Sequence, residues 1–145
     1  MAGAPQIQFT SKGIKINPGN TRALRAWLRA VAAKHTRRIG HLIYIFVTDE
    51  FLLGMNEQYL NHKTLTDIIT FDYSGDEKPA NIISGEIYIS IERVKENAEK
   101  FGVTKKDELN RVMAHGLLHL CGFGDKTSAE KRRMIVEEEK ALALR

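Results

Sequence analysis

Apolar positions along this chain change period several times, and each change marks an element. Ile7 to Phe9 and Ile14 to Ile16 are short β-branched and aromatic runs punctuated by Gly13, which predicts two short strands. Asn17-Pro18 sets a capping residue before proline, the pattern of a helix start. Leu24, Trp27, Leu28 and Val31 then recur at helical spacing, so the predicted helix has one apolar face. Leu42 to Val47 reads as a buried strand, and Thr48-Asp49-Glu50 caps a helix running to Tyr59 or Leu60. A polar loop over Asn61 to Asp67 leads into a strand at Ile68 to Tyr73, a turn at Ser74 to Pro79, and a strand at Ile82 to Ile89 with a bulge expected at Gly85.

The remaining pattern is helical. Ser90 caps a helix whose inner face is Ile91, Val94, Ala98 and Phe101, ended by Gly102. Asp107 to Cys121 is the next, stopped by Gly122, and Thr127-Ser128-Ala129-Glu130 is a capping box opening a last helix through about Leu144. No repeat or linker divides residues 1–145, so a single α+β domain is expected, with a mixed sheet of about four strands packed with about five helices.

Composition adds exclusions. Hydrophobic residues at 43% and charged residues at 28% are those of a folded domain, unlike a disordered chain. The longest apolar run is too short to span a membrane, and Met1 to Gln6 lacks the basic and apolar regions of a secretory signal. A single cysteine, Cys121, excludes an internal disulfide and fits a reducing compartment, so a cytoplasmic location is expected. No phosphate-cradling glycine loop or dinucleotide fingerprint is present, so no nucleotide cofactor is expected.

The net charge of +4 conceals a polarised chain. Up to Thr48 there are eight basic residues and no acidic one, leaving fourteen basic and eighteen acidic residues in the remainder. Arg22, Arg25 and Arg29 recur at helical period and form a basic ridge. Such asymmetry is read either as a face for nucleic acid or as a solvated helix face balanced by acids elsewhere.

The chemistry concentrates at His115-Gly116-Leu117-Leu118-His119. Two histidines at this spacing lie about 40° apart around a helix, so both imidazoles can reach one divalent ion. Asp125, six residues on and past Gly122 and Gly124, is the candidate third ligand. The ordinary alternative is two half-buried histidines bonded to backbone or water. Gly116 stands where zinc peptidases of the H-E-x-x-H type carry their general base. Cys121 is read as packed and inert, His35 and His41 as surface or capping residues.

The stretch from His115 to Phe123 closely resembles the signature H-G-x-L-H-L-x-G-Y-D-H of the YbeY family of metal-dependent endoribonucleases. Upstream, Asn56, Tyr59, Thr66-Asp67-Ile68-Ile69-Thr70-Phe71 and Gly85-Glu86-Ile87 with Ser90 fall where that family has N-x-x-Y, T-[DN]-V-L-S-F and G-D-I. The resemblance covers Met55 to Asp125, in the right order. It implies a small zincin-like α+β metal hydrolase with one zinc per chain, acting on single-stranded RNA. It implies also ribosomal RNA and the small ribosomal subunit as partners, in maturation of the small-subunit RNA 3′ end and in ribosome quality control.

Two departures matter. The family's third histidine falls on Asp125, so the implied ligands are His115, His119 and Asp125. The family's arginine after the tyrosine of N-x-x-Y is here Leu60, which cannot donate to a phosphate. His62 and Lys63 are the expected substitutes as phosphate contacts. Two other classes stay open: a non-catalytic RNA- or ribosome-binding assembly factor with a structural metal, which Leu60 favours, and a zinc hydrolase of peptides or small molecules, which Gly116 and the basic N-terminal region disfavour.

Overall fold

The computed structural model describes residues 5–60, 66–75 and 81–145. Four strands, β1 (Gln6–Ser11), β2 (Arg38–Val47), β3 (Ile68–Asp72) and β4 (Ile82–Ser90), form one sheet in the order β1-β2-β4-β3. β1 and β4 run parallel to β2, while β3 is antiparallel to β4, so the sheet is mixed as expected. The five helices are α1 (Thr21–Lys34), α2 (Asp49–Leu60), α3 (Ile91–Phe101), α4 (Lys105–Leu120) and α5 (Ser128–Leu142). None of them is long and apolar enough to cross a membrane among the described residues.

The main core lies on one sheet face, where Leu42, Tyr44, Phe46, Ile87 and Ile89 meet Leu28 and Val31 of α1 and Met113 and Leu117 of α4. Each such side chain contributes roughly 1.5–3 kcal/mol by leaving water. The other face carries a smaller cluster, Ile45, Val47 and Ile69 under Leu52 of α2. Two buried polar tips lock the layers: Tyr44 Oη donates to the Met113 carbonyl at 2.9 Å and Trp27 Nε1 to the Ala141 carbonyl at 2.8 Å.

Several expectations are corrected. Ile14 to Ile16 forms no strand; beyond Ser11 the chain leaves the sheet edge, and both isoleucines pack against the core from a loop. The first helix starts at Thr21, not at Asn17-Pro18. Asn17 instead accepts from the Gly19 amide in a local turn, and Asn20 is the cap, its side chain accepting from the Ala23 amide. The bulge falls on β2, between Ile39 and Leu42, and not at Gly85. That extra residue switches parity, so Ile39 and Leu42 both face the main core. Phe101 is 59% exposed, because the chain turns out of α3 at Gly102 before α4 begins. The caps at Ser90 and at Thr127–Glu130 form as expected.

Helix α4 is buried almost all round, including Leu109, Val112, Met113, Gly116, Leu117 and Leu120. Gly116 lets it approach the sheet closely. A Cβ there would lie 2.9 Å from Ile68 Cδ1 and 2.9 Å from Ile87 Cγ2. A larger side chain, the glutamate of a peptidase included, would therefore have to push the Ile68 and Ile87 side chains aside. Gly116→Ala should lower the free energy of unfolding by about 1–3 kcal/mol through overpacking, read as a lower urea midpoint at unchanged slope.

Candidate metal centre

The C-terminal end of α4 builds the site. Cys121 caps the helix and Gly122 follows with φ +104, a conformation that favours glycine. The Gly122 amide donates to the His119 carbonyl and the Phe123 amide to the Leu118 carbonyl, the paired bonds of a Schellman turn. This reversal carries Phe123 and Asp125 back alongside the two histidines.

There the three predicted ligands meet. The His115 and His119 rings are 4.5 Å apart, and one atom from each of His115, His119 and Asp125 lies within 4.8 Å of the others. Asp125 Oδ2 is 3.2 Å from His115 Nε2 and 3.3 Å from His119 Nε2. The far nitrogens are held as well. His119 Nδ1 donates to the Phe123 carbonyl at 2.8 Å, and His115 Nδ1 to Glu138 Oε2 at 2.6 Å. A carbonyl only accepts, so the His119 proton sits on Nδ1 and the Nε2 lone pair faces Asp125. The His119 lone pair and the Asp125 carboxylate oxygen, aimed at one point beside His115 Nε2, repel unless a proton or a metal cation lies between them. Two imidazoles and a carboxylate suit a divalent transition metal, and ligands 2.0–2.1 Å from a tetrahedral zinc are roughly 3.3–3.4 Å apart. The residues fit the ion.

Electrostatics agree. Burial is the largest influence on His115 and opposes its charge. Yet the hydrogen bond and charge of Glu138, with Asp125 and Asp67, carry its pKa above the ordinary value. Burial raises the Asp67 carboxyl, which His115 pulls back down and Glu138 and Asp125 push further up. Asp67, Thr70, Asn56 and Lys126 line the same cleft of about 660 Å³ as the histidines and Asp125.

Other predicted residues fare differently. Arg22 and Arg29 are exposed on α1, but Arg25 is half-buried: its Nε donates to the Ile7 carbonyl at 2.8 Å and its guanidinium lies over the Phe9 ring. The ridge flanks β1, at the opposite sheet edge from β3 and the cleft, roughly 14 Å away across three strand spacings. The structure does not bring ridge and histidines together. His62 and Lys63, with the side chain of Leu60, lie outside the described residues. Cys121 is buried and its thiol is pushed up to about 11, so it packs as an inert residue. His35 caps the C-terminus of α1.

Sequence reasoning missed Glu138 and Lys126. A signal for the first existed: Met134, Glu137, Glu138 and Ala141 recur at helical spacing, and all four are buried. Lys126 carried no such signal beyond its place next to Asp125; among the described residues it supplies the cleft's one fixed positive charge.

A proton and a metal compete for the same face of His115. Because its folded pKa is raised, its ionic contacts stabilise the metal-free fold at acid pH, below the unfolded value, and that contribution is lost as pH rises through the folded pKa. Divalent-metal affinity should run the other way, weakening as pH falls from about 8 to about 6. Chelator competition across that range checks it, and His115→Ala should flatten the pH dependence of metal-free stability.

Comparisons with known proteins identify the family. The family model described as endoribonuclease YbeY matches residues 6–144. A curated relative named endoribonuclease YbeY from Bacteroides fragilis is 45% identical over 139 residues, 96% of this chain and 97% of its own length. One of the same name from Cytophaga hutchinsonii is 51% identical over 122 residues, 84% of this chain and 83% of its own. The solution structure of TM1509 from Thermotoga maritima superimposes with a TM-score of 0.66 at 25% identity, covering 96% of this chain and 88% of that one. With nearly its whole length matched, the chain belongs to the YbeY family of endoribonucleases.

Proposed function

We propose that the protein is a zinc-dependent endoribonuclease that cuts single-stranded RNA at the cleft of His115, His119 and Asp125. The observation that carries the reading is the convergence of those three groups on one point, with each histidine oriented from behind by Phe123 or Glu138. Family membership supports RNA as the substrate class. Ribosomal RNA, with maturation of the small-subunit RNA 3′ end and ribosome quality control on the small ribosomal subunit, is the finer part of the proposal. A cytoplasmic location follows from that substrate and from a lone, buried thiol.

Bound by these ligands, zinc would supply Lewis acidity to a phosphodiester oxygen and make water a nucleophile at neutral pH. The protein's own contribution is placement and charge. Lys126 lines the cleft and carries the charge that could stabilise charge developing on the phosphate. Asp67 lines the same cleft and offers an acceptor suited to orienting a water or a ribose hydroxyl. Asp125 in place of a third imidazole adds negative charge, so water at the site should be less acidic than beside three neutral ligands.

One observation favours a second reading: Leu60 removes the arginine that the resemblance implies. A non-catalytic RNA-binding assembly factor with a structural metal would then bind RNA and cleave none. His119→Ala distinguishes the two. The nuclease loses both stoichiometric zinc and cleavage of single-stranded RNA, and chelation of the wild type abolishes cleavage reversibly. RNA binding that survives chelation, without cleavage at any stage, supports the assembly factor.

The ridge has its own outcome. Replacing Arg22 and Arg29 by glutamine should weaken RNA binding without changing stability. The slope of log affinity against log salt should become shallower by about one for each phosphate no longer neutralised. Arg25→Gln should also destabilise the fold, because its guanidinium tethers α1 to β1.

A further inference from the structure

We propose that Glu138 is a positioning residue of the metal centre, which fixes the tautomer and donor strength of His115 and is itself fixed by Arg111. The inference rests on His115 being a metal ligand, as proposed above. Glu138 is 6% exposed and both of its oxygens are engaged: Oε2 accepts from His115 Nδ1 at 2.6 Å and Oε1 from Arg111 Nη1 at 3.0 Å. Arg111 and His115 are one turn apart on α4, so a single carboxylate from α5 is gripped at both ends by the helix that carries the ligand pair. Arg111 also pairs with Glu139, which holds the guanidinium in place from its outer side.

The consequences follow from the acceptor. A carboxylate holds a proton on Nδ1, leaving the Nε2 lone pair directed at Asp125, and its charge makes that nitrogen a better donor. His119 has a neutral carbonyl in the same role. The two imidazoles are therefore unequal ligands, and the stronger one depends on α5. Arg111 donates to the second oxygen and pairs the buried carboxylate, so that neither oxygen is left without a partner. The aspartate at the third ligand position sharpens the need for this: with only two imidazoles, the donor strength of each counts for more.

The test uses the full-length protein. In the metal-free wild type above the His115 pKa, long-range proton–nitrogen NMR should show His115 protonated on Nδ1; an Nε2-protonated ring would overturn the proposal without any mutation. Glu138→Ala should shift His115 toward the Nε2-protonated form and leave His119 unchanged, a response that a general loss of packing would not give. Zinc affinity, read by competition with a chromophoric chelator, should fall about 10–100-fold in Glu138→Ala. Glu138→Gln keeps an acceptor without charge and should restore the tautomer while recovering only part of the affinity. Folded Glu138 variants with the wild-type tautomer and zinc affinity would overturn the proposal. A wild type with Nδ1-protonated His115 that binds no zinc overturns the metal-ligand reading, and with it the part of this inference that concerns donor strength.

Discussion

The site depends on how closely α4 is seated against the sheet. At Gly116 a Cβ would lie 2.9 Å from the Ile68 and Ile87 side chains, so the absence of one lets the helix sit low over β3 and β4. His115 and His119 flank that glycine on the helix, so they stand at the margin of the core, anchored by packing yet open to the cleft beside Ile68 and Thr70. A helix raised by one methyl would lift both imidazoles relative to the cleft wall. The turn at Gly122 and the α4–α5 contact through Glu138 are built on the same helix and would move with it.

Charge is the second constraint. Asp67, Asp125, Glu138 and the buried Glu108 crowd the region around His115. Burial raises the Glu108 carboxyl and the neighbouring Asp67 raises it further, while Arg111 pulls it down. Arg111 and Lys126 do not balance four carboxyl groups. The acidic neighbours Glu138, Asp125 and Asp67 are why the His115 pKa lies above its ordinary value although the ring is largely withdrawn from water, and why the cluster suits a divalent cation. α5 meets the centre through a stripe that is half acidic, with Glu137 turned to His35 and Glu138 to His115.

Much of this was legible in the residues. Strand and helix periodicities placed four strands and five helices, because half-buried elements repeat at two or near four residues. The candidate trio was legible because His115 and His119 share a helix turn and Asp125 follows a helix-stopping glycine. The errors share a cause. Ile14 to Ile16 is apolar enough for a strand, but an extended run becomes one only if a neighbouring strand offers its edge. Asn17-Pro18 and Asn20 are both plausible caps, and the local turn closed by Gly19 selects the second. Phe101 keeps helical phase with Val94 and Ala98, yet phase does not say where the opposing surface ends.

What the sequence determined by itself, then, is local: the caps, the alternations, the histidine spacing, and an acid-free basic segment from residue 1 to residue 48. What only the tertiary structure decided is which distant groups meet. The basic ridge lies on α1 at the β1 edge while the histidines open beside β3, because strand order, not chain order, sets lateral position in a sheet. Glu138 reaches His115 across 23 residues because α5 packs back along α4. A glutamate in a run of three reads as solvated surface, and it becomes part of the candidate centre only once burial leaves it two donors, Arg111 and His115, to satisfy.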